Sequence, residues 1–412
     1  ELPRVKMSAN WMAACGEPGE DAALYETVKA VGMELCPALD ISIPVGKDSL
    51  SMRTQWTDKG QTHKVTSPVS LIITAFASLP DVRGTLTPQL DAQTDDTSLL
   101  LIDLGQGRNR MGGSVLGQVL DQFGDSVPDL EDPQALVNLV KAINALRAQG
   151  QILAYHDRSD GGLLAAVAEM AFAGHVGVAL NVDMLVTEGD GISDSRADHG
   201  DAKNWAGQVS ARRDELTLKA LFNEELGVVI QVRTADRNAV LKTLREHGLS
   251  KHTHVIGKTR PSQSTIRKGV GELSIWRDTK EVFAAKLEDL HQVWDSVSWK
   301  ICQQRDNPAC ADAEHAAAGR ADDPGMHVAL SFDPAVNVAA PYLNLSRPKV
   351  AILREQGVNS HVEMAYAFHQ AGFESHDVHM TDLQTGRAHL TDFKGLVACG
   401  GFSYGDTLGA GI

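Results

Sequence analysis

Seven consecutive residues, His156 to Gly162, carry the side chains in this sequence whose types and spacing best suit chemistry. They read His-Asp-Arg-Ser-Asp-Gly-Gly and stand between a strand-like and a helix-like apolar segment. A helix N-terminus attracts anions through its unpaired N–H groups, and aspartate oxygens suit Mg²⁺, which commonly accompanies phosphates. The pattern therefore suits a magnesium–nucleotide site. It suits a capped turn equally, because Asp and Ser are good N-caps and a Gly-Gly pair lets a helix pack closely.

A second motif follows a strand-like segment near the end of the sequence, where Gly400 to Asp406 reads Gly-Gly-Phe-Ser-Tyr-Gly-Asp. Ligands of open parallel sheets bind at the carboxyl ends of the strands. Consecutive glycines can present backbone N–H groups to an oxyanion, so Gly400 and Gly401 are candidates for binding one. The alternative is a tight turn that only needs a positive φ angle.

Four further residues are weaker candidates. Lys47 could face a phosphate, but its Gly-Lys-Asp-Ser sequence lacks the upstream glycine of a phosphate loop, so a solvated loop lysine is expected. Cys399 lacks the Gly-x-Cys-x-Gly frame of a nucleophile elbow, and a small buried core residue is expected instead. His252 and His254 share one face of a predicted strand without a further ligand, which argues against a zinc site.

Alternating strands and helices must position these motifs. Before about residue 90, the pattern predicts a helix at 20–36 and strands at 41–45 and 69–76, the last of them buried. From 97 to 260, it predicts strands at 98–103, 152–155, 228–232 and 254–256 and helices at about 112–123, 133–149, 163–172 and 235–247. After Pro348, it predicts strands at 349–353, 377–380 and 396–399 and a helix at 359–371, the first half of a doubly wound parallel sheet.

Two segments lack this regular alternation. Residues 187–214 are polar and rich in Gly and Asp, which predicts a surface loop. Residues 262–345 are mixed. They combine a predicted Trp-rich helix around Trp294 and Trp299 with an Ala-, Asp- and Pro-rich stretch, 306–323, that is predicted to be a linker.

The composition limits the functions open to the chain. Its 412 residues suggest roughly two or three domains. With 38 basic and 53 acidic residues the net charge is −15, so a nucleic-acid partner is not expected. A membrane span needs about 18 consecutive apolar residues, and no apolar run approaches that length. The unevenly spaced cysteines fit a reducing, cytoplasmic setting. Because the sequence lacks an initiator Met and stops in a glycine-rich turn, we expect a piece of a longer protein.

Five long motifs stand in one order along the chain. They are Leu35-Cys-Pro37 through Ile43-Pro-Val-Gly-Lys-Asp-Ser-Leu-Ser-Met52, His156-Asp-Arg-Ser-Asp-Gly-Gly-Leu163, Phe222-Asn-Glu-Glu-Leu-Gly227, Arg354-Glu-Gln-Gly-Val-Asn-Ser-His361 and Cys399-Gly-Gly-Phe-Ser-Tyr-Gly-Asp406. Together they resemble the large, single-chain phosphoribosylformylglycinamidine synthase family, and the resemblance covers essentially the whole chain. That family converts formylglycinamide ribonucleotide to formylglycinamidine ribonucleotide in purine biosynthesis, with ATP and glutamine as co-substrates.

The resemblance implies an α/β chain in four parts. Residues 1–90 would be the later part of the first subdomain in a second synthetase half, a mixed α+β fold of the aminoimidazole ribonucleotide synthetase-like superfamily. Residues 97–260 would be its second α/β subdomain, in which 187–214 looks like an insertion. Residues 261–345 would be a linker and connecting segment. Residues 346–412 would begin a class I glutamine amidotransferase domain with a flavodoxin-like fold, truncated here.

The resemblance also implies roles for individual residues. Asp157 matches a magnesium ligand, and Ser159 matches a nucleotide contact, of an auxiliary ATP or ADP site that performs no chemistry. Gly400 and Gly401 would border the glutamine and oxyanion site. The other metal ligands would lie upstream of residue 1, and the nucleophilic cysteine with its His and Glu partners would lie beyond Ile412. No catalytic residue is therefore expected in this chain, which should be inactive alone. Ile412 itself departs from the family, where an acidic residue usually follows that Gly-Ala-Gly.

The intact enzyme implied by the resemblance is a cytoplasmic monomer with no nucleic-acid or membrane partner. A cysteine attacks the glutamine amide and releases ammonia, which travels inside the protein to a site where ATP phosphorylates the formyl-amide oxygen. Its partners are these small-molecule substrates, Mg²⁺, and the N- and C-terminal parts of the same polypeptide. Two alternatives remain: another aminoimidazole ribonucleotide synthetase-like enzyme, against which the unit after Pro348 argues, or a non-catalytic nucleotide-binding scaffold.

Overall fold

The computed structural model describes residues 2–186, 205–260, 271–320, 326–342 and 345–401. The chain divides into two compact units, Glu1–Pro324 and Gly325–Ile412. Both combine helices with sheets, so the predicted α/β class is confirmed. Short 3₁₀ helices lie at Leu2–Arg4, Thr234–Asp236, Ser250–His252, Ala340–Tyr342 and Leu390–Asp392. Among the helices of the described ranges, none combines the length and apolar character of a membrane span.

The first unit opens with a small mixed sheet. Its strands are β1 (Lys6–Met12), β2 (Ser42–Ser49) and β5 (Ser70–Phe76), while β3 (Arg53–Asp58) and β4 (Gln61–Thr66) form a separate hairpin. The order is β2-β1-β5, with β1 parallel to β2 and antiparallel to β5. The predicted burial of β5 is wrong, since Ile72 is 55% and Phe76 49% exposed. The physical reason is that β5 lies at the edge of a small sheet.

The helix predicted at 20–36 is confirmed in location but is not one regular helix. It comprises α1 (Glu20–Val28), a π-helical segment (Lys29–Leu35) and α2 (Cys36–Leu39). Only Cys36 and Leu39 at its end are buried. Pro37 stands in the first turn of α2, directly after the π-helical segment.

A seven-stranded sheet forms the centre of the first unit, in the order β12-β11-β8-β10-β6-β9-β7. Its strands are β6 (Thr97–Asp103), β7 (Ala154–Arg158), β8 (Gly177–Asn181), β9 (Gly227–Arg233), β10 (Thr253–Arg260), β11 (Glu272–Arg277) and β12 (Lys280–Lys286). Neighbouring strands are antiparallel except β8 and β11. β7 is an edge strand that extends further than predicted, so that the first three residues of the His156 motif belong to it.

Helices cover both faces of this sheet. They are α3 (Val115–Val119), α4 (Pro133–Ala148), α5 (Gly162–Gly174), α6 (Trp205–Phe222) and α7 (Arg237–Glu246). β6 is buried on both faces: Leu99 and Leu101 pack in one core with α5 and α6, and Leu100 and Ile102 in the other with α4 and α7. This alternation follows from the two-residue repeat of a strand.

Two predicted irregular segments prove to contain helices. Residues 187–204 lie outside the described residues, but the loop prediction is wrong from residue 205 onward, where α6 begins. The stretch 306–323, predicted to be a linker, contains α9 (Pro308–Ala318), directly after the confirmed Trp-rich helix α8 (Leu287–Arg305). Asn307 caps α9, and the Trp299 ring stacks on His315 with centroids 4.2 Å apart. Contact with a neighbouring helix thus outweighs the polar composition.

The second unit is a three-stranded parallel sheet in the order β14-β13-β15. Its elements are β13 (Lys349–Arg354), α10 (His361–Gln370), β14 (Glu374–His379), α11 (Met380–Gln384) and β15 (Gly395–Ala398). Val350, Ala351 and Ile352 of the central strand are buried. The predicted first half of a doubly wound sheet is confirmed, with Ser360 at the start of α10.

Candidate functional site

The end of β7 places Tyr155 and Asp157 on one face of the sheet. The Tyr155 hydroxyl donates to Asp157 Oδ1 at 2.6 Å. Burial and this hydrogen bond raise the pKa of Tyr155 above its ordinary range, so the hydroxyl stays protonated and remains a donor. Asp157 is exposed, and its Oδ2 receives no hydrogen bond from the described residues. One carboxylate oxygen is therefore held in place while the other is available to a cation.

The turn from Ser159 to Gly162 joins β7 to α5. The Ser159 carbonyl accepts the Gly162 N–H at 2.9 Å. The Gly161 N–H donates to Glu224 Oε1 at 2.9 Å, and the same oxygen accepts the Val115 N–H at the start of α3 at 2.9 Å. The N–H groups of Gly161 and Gly162, which the sequence suggested as phosphate-binding groups, are therefore bonded to protein oxygens. Glu224 also supplies a negative charge at this helix N-terminus.

The N-cap of α5 is Gly161, which has no side chain that could form a capping hydrogen bond. The part of the capped-turn interpretation that gave this role to Asp or Ser is therefore wrong. The close-packing part is confirmed: Gly162 has φ +71°, and a Cβ there would lie 2.7 Å from the Asn223 carbonyl oxygen. The exposed Ser159 side chain has no hydrogen-bond partner among the described residues, so neither it nor Asp157 is needed for the cap.

The opposite face of β7 is anchored by charged groups. Arg158 forms a buried ion pair with Asp103, and its Nε donates to the Glu225 carbonyl at 2.6 Å. The Glu225 carboxylate accepts Arg110 Nε at 2.7 Å and Nη2 at 2.8 Å, which raises the pKa of Arg110. These contacts fix the end of β7 to β6 and to the segment 222–227.

A magnesium ion at this place would have one carboxylate from the described residues. Within the described ranges, no three His, Cys, Asp or Glu side chains come together as a metal site. Magnesium is commonly bound by one or two carboxylates together with phosphate oxygens and water. Asp157 fits such a shared role, whereas these residues alone do not fit an all-protein metal cage.

His156 is linked to helix α8 through Glu169, and the sequence did not predict this connection. His156 Nε2 lies 2.8 Å from Glu169 Oε2, and because a carboxylate only accepts, Nε2 is the donor. The Trp294 Nε1–H donates to the other oxygen, Oε1, at 2.9 Å. The sequence contained the signal only as a predicted Trp-rich helix, with nothing to indicate which carboxylate its indoles meet.

In the second unit, Gly400 and Gly401 follow β15 after one intervening residue, Cys399. Gly401 has φ +140°, and a Cβ there would lie 2.3 Å from the Gly357 carbonyl oxygen. Gly400 accepts the Asn359 N–H at 2.9 Å, and a Cβ on it would meet no atom within 4 Å. The turn requires glycine at 401, and the neighbouring backbone is the obstacle. Residues Phe402–Asp406 of the motif lie outside the described residues.

The weaker candidates differ in how near they lie to these sites. Lys47 is exposed on β2, a strand rather than the predicted loop. Cys399 is partly exposed, so its predicted burial is wrong, because it follows the end of the edge strand β15. His252 lies in a 3₁₀ helix with Nδ1 2.8 Å from the Asp103 carbonyl. Only His254 belongs to β10, so the predicted shared strand face is wrong.

Three family models match the chain in succession. The FGAR-AT PurM_N-like domain matches residues 1–78. The C-terminal domain of AIR synthase related proteins matches residues 98–268. The CobB/CobQ-like glutamine amidotransferase domain matches residues 347–412. The His156 motif falls in the second match and the Gly400 turn in the third.

Solved structures give weaker likenesses. PurL of Thermotoga maritima complexed with ATP is 12% identical, with 70% of this chain and 38% of that chain covered and a TM-score of 0.41. PurLQS from Thermotoga maritima is 12% identical, covering 90% and 44%, with a TM-score of 0.44. HypE of E. coli, a hydrogenase maturation protein, is 20% identical, covering 68% and 71%, with a TM-score of 0.41. The chain thus spans less than half of the length of the Thermotoga chains that it matches.

Proposed function

We propose that this chain is a segment of a formylglycinamide ribonucleotide amidotransferase, which its three successive domain matches support, and that it contributes to two sites of that enzyme. Asp157 and Ser159 would form part of an auxiliary magnesium–nucleotide site. Gly400 and Gly401 would form one wall of the glutamine site. The complete enzyme converts formylglycinamide ribonucleotide to formylglycinamidine ribonucleotide, with ATP as the energy source and glutamine as the nitrogen donor.

The observation that carries the nucleotide site is the arrangement of Asp157. Its carboxylate is exposed at the end of β7, is held on one oxygen by Tyr155 at 2.6 Å, and has no capping role in α5. A bound magnesium ion would supply neutralisation of phosphate charge. What this chain contributes is a fixed carboxylate oxygen and, from Ser159, a hydroxyl that is free to donate or accept.

Neither site contains the reacting groups in this proposal. The auxiliary nucleotide is a structural ligand, and the cysteine, histidine and glutamate of the glutaminase are assigned to sequence beyond Ile412. In the proposed layout, 1–90 and 97–260 are two subdomains of one synthetase half, and 346–412 begins the glutaminase domain. The segment 261–345, predicted to be a connection, also supplies β11 and β12 to the seven-stranded sheet. The non-catalytic scaffold remains as a description of what the 97–260 part does within the enzyme.

Nucleotide retention in the complete enzyme tests the proposal. Purified wild type should carry ADP or ATP that is released on denaturation and counted by chromatography, and Asp157→Asn should lose most of it. Asp160→Asn removes the same charge three residues along the turn, where the side chain makes no hydrogen bond to the described residues. An unchanged nucleotide content in Asp157→Asn would overturn the assignment. Equal losses in the two variants would assign the effect to the turn's overall negative charge, and would overturn it too.

A further inference from the structure

The end of β7 has an unequal set of restraints on its two edges. β7 pairs with β9 along one edge and lies at the border of the described sheet along the other. On that second edge the Tyr155 N–H donates to the Thr87 carbonyl at 2.9 Å. Two side chains add further restraints: Arg158 pairs with Asp103 of β6, and His156 donates to Glu169 at 2.8 Å. Asp157 lies between these two anchored residues.

Glu169 uses both of its oxygens, each for a donor from a different element. Oε2 accepts from His156 of β7, and Oε1 accepts from Trp294 of α8 at 2.9 Å. Glu169 itself belongs to α5, which begins at the turn after Ser159. The three side chains thus connect β7, α5 and α8 at one point. We propose that Glu169, held by Trp294, is a positioning residue that fixes His156 and thereby the direction of Asp157.

The aromatic contacts around Trp294 explain why α8 can hold this carboxylate in place. Phe172, one turn after Glu169 on α5, stacks on His291 with ring centroids 4.7 Å apart and meets the edge of Trp294 at 6.4 Å. Trp294 is 57% exposed, so less than half of its surface is buried. Its indole N–H is therefore its more specific contribution, and that contribution can be removed with a small change in packing.

Helix α8 offers a matched control for this N–H. Trp299 also donates its Nε1–H to a carboxylate at 2.9 Å. The acceptor is Asp312 of α9, which forms no hydrogen bond with β7 among the described residues. Trp294→Phe and Trp299→Phe therefore each delete one indole hydrogen bond of equal length from the same helix. Only the first deletion should reach Asp157.

Glu169 itself can be tested with a conservative and a non-conservative variant. Glu169→Leu removes both acceptors. Glu169→Gln retains a carbonyl oxygen for Trp294, and its amide can donate to His156 Nε2 if the ring adopts the other tautomer. A positioning role that depends on the connection, rather than on the charge, predicts rescue by glutamine.

The experiment rests on the proposed nucleotide site and is made in the complete enzyme with Mg-ADP. Retained nucleotide, its dissociation rate and the unfolding temperature are measured for each variant. Trp294→Phe should speed dissociation about three- to tenfold, which corresponds to the net worth of one hydrogen bond, and Glu169→Leu should do so by at least as much because it removes two. Glu169→Gln should recover most of the wild-type rate, and Trp299→Phe should remain within about twofold of wild type even where its unfolding temperature falls.

Three outcomes are distinguishable. If Asp157→Asn weakens retention while Trp294→Phe and Glu169→Leu only lower the unfolding temperature, Glu169 is structural and the inference is overturned. If Trp299→Phe speeds dissociation as much as Trp294→Phe, the effect belongs to α8 in general and the inference is likewise overturned. If Asp157→Asn leaves retention unchanged, the proposed function fails, and the inference fails with it.

Discussion

The carboxylate of Glu224 lies 2.9 Å from the backbone nitrogen of Gly161. This contact connects two segments that are more than sixty residues apart in sequence, the turn after β7 and the segment 222–227. It also provides negative charge at the N-terminus of α5, where a helix favours it. The Glu224 side chain therefore already occupies part of the position at which the sequence suggested a bound phosphate.

We expect Glu224→Ala to destabilise the first unit by about 1–3 kcal/mol, because the N–H groups of Gly161 and Val115 lose their acceptor. Glu224→Gln keeps a carbonyl oxygen in reach of both and should lose less than half as much. Denaturant unfolding measures both free energies, and amide exchange at Gly161 and Val115 should speed up in Glu224→Ala alone. Equal exchange in the two variants would show that these N–H groups do not depend on this oxygen.

We expect Gly162→Ala to destabilise the chain by several kcal/mol. The position has φ +71°, and the new Cβ would lie 2.7 Å from the Asn223 carbonyl oxygen, so α5 or the 221–223 segment must move. Gly150 has φ +65°, and a Cβ there would meet no atom within 4 Å, so Gly150→Ala should show only the left-handed strain of about 1–2 kcal/mol. The difference between their unfolding free energies measures the close approach, and similar values would contradict it.

The buried pair of Asp103 and Arg158 gives a third prediction. Arg158→Met should destabilise the first unit by about 3–5 kcal/mol, because Asp103 is left charged and buried without its partner. The double variant Arg158→Met/Asp103→Leu should recover part of that loss, since a buried pair is often replaceable by apolar residues of similar volume. Denaturant unfolding of the two variants measures this. A double variant less stable than Arg158→Met would show that the Asp103 contacts to the 105–107 loop matter more than the pair.

The strands and the elements that alternate with them were predictable because burial leaves a clear period in the sequence. β6 contains an uninterrupted apolar run, Leu99 to Ile102, just before Asp103, and it is buried throughout. β5 has the same kind of sequence, yet it lies at a sheet edge and is largely exposed. β-branched composition indicates a strand, but only the neighbours that fold against it decide its burial.

The candidate site was predictable as a motif but not as an arrangement. The Gly-Gly pair predicted close helix packing, which Gly162 confirms against Asn223. Glu224 and Glu169 could not be assigned, because their partners come from distant elements and any surface carboxylate has the same local sequence signal. The helix α9 was not predicted because it is stabilised by contacts with α8, a separate helix, and the local composition does not reveal such contacts.

In the complete enzyme, we expect the Gly400–Gly401 turn to direct a backbone N–H group at the glutamine amide oxygen. Gly401→Ala should reduce glutamine-dependent synthesis about a hundredfold or more, as loss of one oxyanion-hole donor does. Synthesis from free ammonium should stay near wild type, because that reaction bypasses the glutaminase. Gly386→Ala serves as the control in the same unit: it has φ +75°, and its Cβ would come no closer than 3.8 Å to His389.

The surroundings of Gly401 and Gly386 distinguish the possible results of this experiment. A Cβ at Gly401 meets the Gly357 carbonyl oxygen at 2.3 Å and the Asn359 nitrogen at 2.8 Å, so the turn must shift, and any N–H it directs to the glutamine amide shifts with it. Gly386→Ala adds left-handed strain without that collision, and it should leave glutamine-dependent synthesis intact. If both variants lost that activity, strain anywhere in the unit would suffice, and the oxyanion assignment would be unnecessary. If Gly401→Ala lowered ammonium-dependent synthesis to the same extent, the turn would be a structural support for the whole enzyme rather than part of the glutamine site.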